Sequence, residues 1–371
     1  MVTGKSSCTP ATRASARASS VAHALHYRAA MRIALALVFA ACTAASQQAV
    51  AVDPGEGSDG TGSSSGSGSI PDVRCTGTPS AAAGDFRHLS SSVVAELGDP
   101  RHRGLDLIAS ASAGTQTLEG WLAYSVADKA LEDEDVDLYA CRASAWVKLG
   151  TATTDGEGHF ALTLADADRL PIGMRDLYAS VVGDRSGAAF LGYVAPDDSP
   201  LIISDVDGTL TSSENAFIET IVNGEQPDQQ AGASAAYAAA AARGYQLVYV
   251  TARGNQYTDA TRQWLADQGF PRGPLRLATS FVTLPGGDTI DFKTNTITDV
   301  IMAGLSVAMG IGNRATDITA YSNVGLAGSQ IFIKLPEYQS EVQAPLDANQ
   351  AVGFAAYDDL RTGAIAALPQ R

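Results

Sequence analysis

Two carboxylates one residue apart close an apolar run. They are Asp205 and Asp207, within Pro200 to Ser213, PLIISDVDGTLTSS. At that spacing one carboxylate can attack an electrophile while its neighbour handles protons. Gly208 lets the backbone turn, and Thr209 and Thr211 place hydroxyls beside the acids. Further along, Thr251 follows the run Gln246–Val250, and Ala252 and Arg253 come next. A hydroxyl and a backbone N–H at a strand end can hold a phosphate oxygen. Lys293, in Asp291-Phe292-Lys293, offers an ammonium that neutralises a phosphate and an attacking aspartate together. Asn313 and Asp317, in Gly312-Asn313-Arg314-Ala315-Thr316-Asp317, offer oxygens to a hard cation such as Mg²⁺, already held by Asp205. The chemistry open to this set is phosphoryl transfer. Two plain alternatives exist for the aspartate pair. A calcium loop would need alternating oxygen ligands and a late Glu, whereas positions 209–213 read Thr, Leu, Thr, Ser, Ser. A solvated turn after a strand is the other. Residues 200–371 contain neither histidine nor cysteine, which removes Ser-His-Asp, thiol and histidine–zinc chemistry from that half.

Alternating elements must position these groups. Strands are expected at Leu201–Ser204, Gln246–Val250, Leu275–Ala278, Val307–Ile311 and Gln330–Ile333. Helices are expected near Glu214–Val222, Ala233–Ala242, Tyr257–Gln268, Thr296–Leu305 and Asp317–Ser322, with Lys293 opening a helix. This order predicts an α/β domain over 200–371 with a doubly wound parallel sheet, and ligands bind such sheets at the carboxyl ends of the strands. After Pro336 an irregular tail and a docking helix near Asp358–Leu368 are expected. Before Pro200, the stretch 105–196 carries seven candidate strands: Leu105–Ala111, Thr117–Tyr124, Asp135–Ala143, Trp146–Thr154, His159–Leu164, Arg175–Gly183 and Ala188–Tyr193. Asp155-Gly156-Glu157-Gly158 serves as a hairpin turn. Such intervals predict a β-sandwich domain.

The N-terminal part has a different character. Residues 1–41 hold five basic residues and no acid. Taking those five from the 25 Lys and Arg leaves 20 against 40 acidic residues from Cys42 onward. That balance argues against nucleic-acid binding and against docking on anionic lipid through a basic patch. Met31 to Cys42, MRIALALVFAAC, reads as an export leader too short to span a bilayer. Ala40-Ala41-Cys42 resembles a bacterial lipobox, with Phe39 where an aliphatic residue is usual. The expectation is an exported, membrane-anchored lipoprotein tethered through lipid on Cys42. The plain alternatives are an ordinary signal peptide cut near Ala45 or Ala51 and a non-exported, Ala-rich N-terminus. Residues 42–69 form a tether and Gly/Ser linker, DPGEGSDGTGSSSGSGS from Asp53. In an oxidising compartment Cys75 and Cys141 are expected to pair as a disulfide.

The order DxDGT, strand-Thr, Lys and G-N-x-x-x-D resembles the haloacid-dehalogenase superfamily of aspartate-nucleophile phosphatases. Thr251-Ala252-Arg253, Pro271-Arg272-Gly273-Pro274-Leu275 and Asp291-Phe292-Lys293 narrow the resemblance to lipin-type phosphatidate phosphatases, over roughly Leu201 to Glu341. The resemblance implies a Mg²⁺-dependent phosphatidate phosphatase in lipid metabolism. Asp205 would be the nucleophile and Asp207 the acid–base, with Thr251 and Lys293 holding phosphoryl oxygens. Mg²⁺ would sit on Asp205, the Asp207 carbonyl, and Asn313 or Asp317. Gly208, Thr209, Arg253, Arg272 and Arg314 would contact substrate. Two alternatives accompany this expectation: an exported phosphatase for soluble phosphomonoesters, and a non-catalytic phosphatidate-binding module. The latter resembles domains of phosphatidylinositol-transfer proteins.

Overall fold

Alternation of small and large apolar residues with polar ones from residue 100 to 195 builds short strands that bury one face. The computed structural model describes residues 70–125, 128–214, 216, 226–279 and 286–371. The leader, Cys42 and the Gly/Ser linker lie outside the described residues, as does most of the helix expected at Glu214–Val222.

The chain opens with β1 (Asp72–Val73) and helix α1 (Leu89–Leu97), then runs through β2 (Arg103–Leu105), β3 (Leu107–Ser110), β4 (Thr115–Trp121), β5 (Ala123–Tyr124), β6 (Lys129–Ala130), β7 (Asp135–Arg142), β8 (Ala145–Thr153), β9 (His159–Ala165), β10 (Gly173–Val181) and β11 (Gly187–Ala195). One sheet has the order β3-β11-β10-β7-β8, with β1 added beside β10; a second has the order β2-β4-β9. The two sheets enclose a core of Leu118, Leu138, Phe160, Leu177 and Phe190. A disulfide joins Cys75 to Cys141 on β7, fixing the segment after β1 to the sandwich.

The second half begins at β12 (Pro200–Ser204) and continues with α2 (Ala233–Ala242), β13 (Gln246–Gly254), α3 (Thr258–Asp267), β14 (Leu275–Ala278), α4 (Gly286–Met302), β15 (Ser306–Gly312), α5 (Ala315–Asn323), β16 (Ile331–Lys334), α6 (Gln339–Asp347), β17 (Val352–Phe354) and α7 (Tyr357–Leu360). The strand order is β14-β13-β12-β15-β16-β17, and every pairing is parallel. Period-two alternation divides the strands between two cores. Ile202, Leu247 and Tyr249 face one, and Leu201, Ile203, Val248 and Val250 the other. The second core also takes in Ile108, Leu191 and Tyr193, so the sandwich and the parallel sheet share apolar packing.

Two expectations are corrected. Lys293 does not open a helix: α4 starts at Gly286, and Lys293 lies in its interior. Gly286-Gly287 masks that start, since two glycines are poor helix formers. The tail after Pro336 is not irregular but supplies α6 and a sixth strand, β17. Gly353 and the brevity of β17 hide its strand pattern. The docking helix near Asp358–Leu368 begins at Tyr357 and continues after Leu360 as a wider turn over Arg361–Ile365.

Candidate functional site: a carboxylate-rich edge

Strand β12 delivers Asp205 and Asp207 past its carboxyl end, and its neighbours β13 and β15 end beside it. Asp205 lies buried. Its Oδ1 accepts from Lys293 Nζ at 2.7 Å and its Oδ2 from Thr209 Oγ1 at 2.9 Å. Lys293 bridges onward to Asp317 Oδ1 at 2.5 Å. Asp317 Oδ2 accepts the backbone N–H groups of Asn313 and Arg314, closing the start of α5. Gly312 is required there, because a Cβ would fall 2.4 Å from the Asp317 carboxyl carbon. Gly208 is similarly constrained: its φ is 68°, and a Cβ would stand 2.1 Å from Asn313 Nδ2.

Asp207 is held differently. Arg253 grips it through Nε at 3.0 and 2.9 Å and through Nη2 at 2.7 Å, and Thr251 Oγ1 donates to its Oδ2 at 2.9 Å. The remaining Arg253 nitrogen, Nη1, donates to Thr261 Oγ1 on α3. Both Asp207 oxygens are therefore occupied, and proton transfer would require this fork to open.

The edge carries more negative charge than its cations balance. Asp205, Asp207, Glu214 and Asp317 meet Lys293, Arg253 and Arg314, and Arg314 also pairs with Glu341. Burial pushes the Asp205 carboxyl up to about 8, with Lys293 opposing the rise and Asp317 and Glu214 adding to it. Burial likewise raises Glu214, against a hydrogen bond from Asn313. Burial disfavours the Lys293 ammonium, but Asp205 and Asp317 outweigh it and hold the group above its ordinary value.

A divalent cation fits the donor set. Asn313 Oδ1 is buried and accepts no hydrogen bond, while its Nδ2 donates to Glu214 Oε2 at 2.9 Å. With Asp205 and the Asp207 carbonyl, this oxygen makes a hard, all-oxygen set. Among the described residues no three His, Cys, Asp or Glu side chains converge to hold a metal. Asp317 is engaged much as Asp205 is, one oxygen accepting from Lys293 and the other from two backbone donors.

The substrate contacts expected from sequence divide. Thr209 is fully buried and donates to Asp205. Arg253 braces Asp207, and Arg314 pairs with Glu214 and Glu341 beneath the Tyr338 ring. Arg272 is corrected outright. It stands before β14, at the opposite edge of the sheet, paired with Asp72 and Asp176 of the sandwich. Glu214 was missed, since it belongs to no motif and joins the site only through Asn313 and Arg314.

The fold and edge define a class: a β-sandwich followed by a parallel α/β sheet with an acidic, lysine-bridged carboxyl edge. Two family models match in that order, "PITM 1-3, beta-sandwich domain" over residues 100–194 and "PITM 1-3, LNS2 domain" over residues 202–334. The chain is 28% identical over 263 residues to Protein retinal degeneration B of Drosophila melanogaster, covering 69% of this chain and 20% of that protein. It is 28% identical over 249 residues to Membrane-associated phosphatidylinositol transfer protein 3 of Homo sapiens, covering 65% of this chain and 24% of that protein. It thus spans about a fifth to a quarter of the length of these relatives. A Class C acid phosphatase from Bacillus anthracis shares a TM-score of 0.29 at 15% identity, covering 43% of this chain and 66% of that one.

These matches correct the narrower expectations. The family models and relatives point to phosphatidylinositol-transfer proteins and not to lipin-type phosphatases, which overturns the assignment as a hydrolase acting on phosphatidate or soluble phosphomonoesters. The exported bacterial lipoprotein is overturned as well, since the relatives named are membrane-associated proteins of animals. No helix among the described residues is long and apolar enough to cross a membrane.

Proposed function

We propose that the carboxyl edge of the parallel sheet binds the phosphate of a membrane phospholipid headgroup, through a divalent cation and without hydrolysis. The observation that carries this reading is the surplus of buried carboxylate around Lys293, next to an Asn313 oxygen that accepts no hydrogen bond. A phosphate dianion does not enter such a site unless positive charge enters with it. Mg²⁺ suits the donors, and Asp205, the Asp207 carbonyl and Asn313 would hold it; bound there, it supplies charge neutralisation. Lys293 then stabilises Asp205 and a phosphate oxygen together. Thr251 and Arg253 keep the Asp207 side chain fixed. The finer description of the sheet as haloacid-dehalogenase-like belongs to this proposal, supported by the order Asp205, Thr251, Lys293, Asp317 at one edge. So does a division into a sandwich domain at 105–196 and a sheet domain at 200–371. The family matches support the lipid class, since the relatives are named as membrane-associated phosphatidylinositol transfer proteins.

Flotation with phosphatidylcholine vesicles containing phosphatidylinositol tests the reading. Binding is expected with Mg²⁺, is lost in EDTA, and falls at least tenfold in Lys293→Met and in Asn313→Ala. Equal binding to pure phosphatidylcholine, or indifference to Mg²⁺, overturns it. Phosphate release from a soluble ester in the same buffer would overturn the non-catalytic half.

A further inference from the structure

Helix α3 presents Asp259, Arg262, Gln263 and Ala266 on one face, at positions i, i+3, i+4 and i+7. That face does not pack into the core. It lines a cavity of about 550 Å³ whose opposite wall is Ala189 and Leu191 of β11. The volume lies within the range of small-molecule sites. Leu191, Leu265 and Phe270 give the cavity an apolar wall, and Arg74, Arg262 and Arg272, with Asp259 among them, its charged groups. A second, polar cavity of about 230 Å³ shares Asp259 with it.

The arginines are not equivalent. Arg272 is committed to Asp72 and Asp176. Arg262 spends only Nη2, on Asp106, and its buried Nε has no hydrogen-bond partner. Arg74 pairs with Asp72 but is 65% exposed. A guanidinium beside an apolar wall suits an anion that carries an alkyl chain. The acids nearby do not oppose this equally. Asp72, Asp106 and Asp176 are each held by an arginine, while Asp259 stands one turn before Arg262, toward the polar cavity.

We propose that this groove binds a single-chain anionic amphiphile, with its anion on Arg262 and Arg74 and its alkyl chain along Leu191, Leu265 and Phe270. The site is separate from the phosphate-binding edge and does not depend on it. One anion on one chain is the recognised chemistry, and a fatty acid or a monoacyl glycerophosphate could supply it.

Titration calorimetry of the whole chain with palmitate, with 1-palmitoyl glycerophosphate and with hexadecyltrimethylammonium, each below its micelle concentration, tests the proposal. Both anions, or one of them, should bind one to one, and the cation at least tenfold more weakly. The anion that binds names the source. Ala266→Trp, on an exposed position of α3, should weaken binding at least about tenfold, the effect of displacing two buried methylenes. If that variant does not fold, Ala189→Phe fills the same groove from β11. Absence of binding by the native chain, equal affinity for the cation, or undiminished affinity in a folded filling variant overturns the proposal.

Discussion

Two buried clusters of carboxylate and cation sit at opposite edges of the parallel sheet, and they are satisfied to different degrees. At the amino edge, Asp106 from the sandwich is fully enclosed. Its oxygens accept the Leu191 and Leu275 backbone N–H groups at 2.7 Å each, and Arg262 Nη2 at 2.9 and 3.0 Å. Arg272 adds ties to Asp72 and Asp176. At the carboxyl edge, one lysine serves two buried carboxylates, a third carboxylate is raised by burial, and Asn313 Oδ1 accepts nothing. Enclosing charge is costly unless every lone pair is used. The amino-edge cluster meets that condition around Asp106 and acts as a fastener between sandwich and sheet. The carboxyl-edge cluster does not meet it, and the shortfall is what a cation and an anion would fill.

The comparison breaks first at the fastener. Asp106→Asn replaces an acceptor-only group with one that must point an N–H at Arg262 or at a backbone donor. Breaking a buried pair in this way costs about 3–5 kcal/mol. Urea denaturation should show that loss, and a loss below about 1 kcal/mol would mean that the Asp106 contacts do not hold the two halves together.

Much of this arrangement is legible in the sequence, but only where the signal is local. The strand-end aspartates, Thr251 and Asn313 follow apolar runs of strand length, so their common edge can be read from order alone. Asp106 could not be read that way. It sits between short strands β2 and β3, and its partners Leu191, Arg262 and Leu275 lie 85 or more residues away. The roles of Arg253 and Arg272 were equally hidden. Arg253 lies near the end of β13 and Arg272 just before β14, yet one braces Asp207 and the other crosses to the sandwich. Only the tertiary fold separates them. The chemistry was over-read for a related reason: aspartates at the right spacing specify a carboxylate-rich strand edge, not what that edge does.

The sandwich's own polar cluster sharpens the contrast. His102 Nδ1 accepts the Ala123 N–H, so Nε2 carries the proton and donates to Ser186 Oγ. Burial pushes this imidazole down to about 4. Between that value and the ordinary value of about 6.5 the unfolded chain binds a proton that the folded one refuses. Stability is therefore unaffected above pH 6.5 and falls as the pH drops toward 4, by about 3 kcal/mol in all. His102→Gln should flatten that part of a stability–pH profile, and an unchanged slope would assign the acid sensitivity elsewhere.

The smallest expected effect is the most telling. Asp205→Asn keeps the shape of the carboxyl edge, and its amide oxygen can still accept from Lys293, while Asp317 retains the ammonium. Because burial already pushes the Asp205 carboxyl up to about 8, the amide should change stability by less than about 1 kcal/mol in EDTA, in contrast to Asp106→Asn. Mg²⁺ should raise the melting temperature of the native chain and leave the variant where it was, because a ligand stabilises only the fold that binds it. Parallel melts in EDTA and in Mg²⁺ read both effects. A large loss in EDTA would make Asp205 a second fastener, its charge needed for structure, and the contrast between the two edges would disappear.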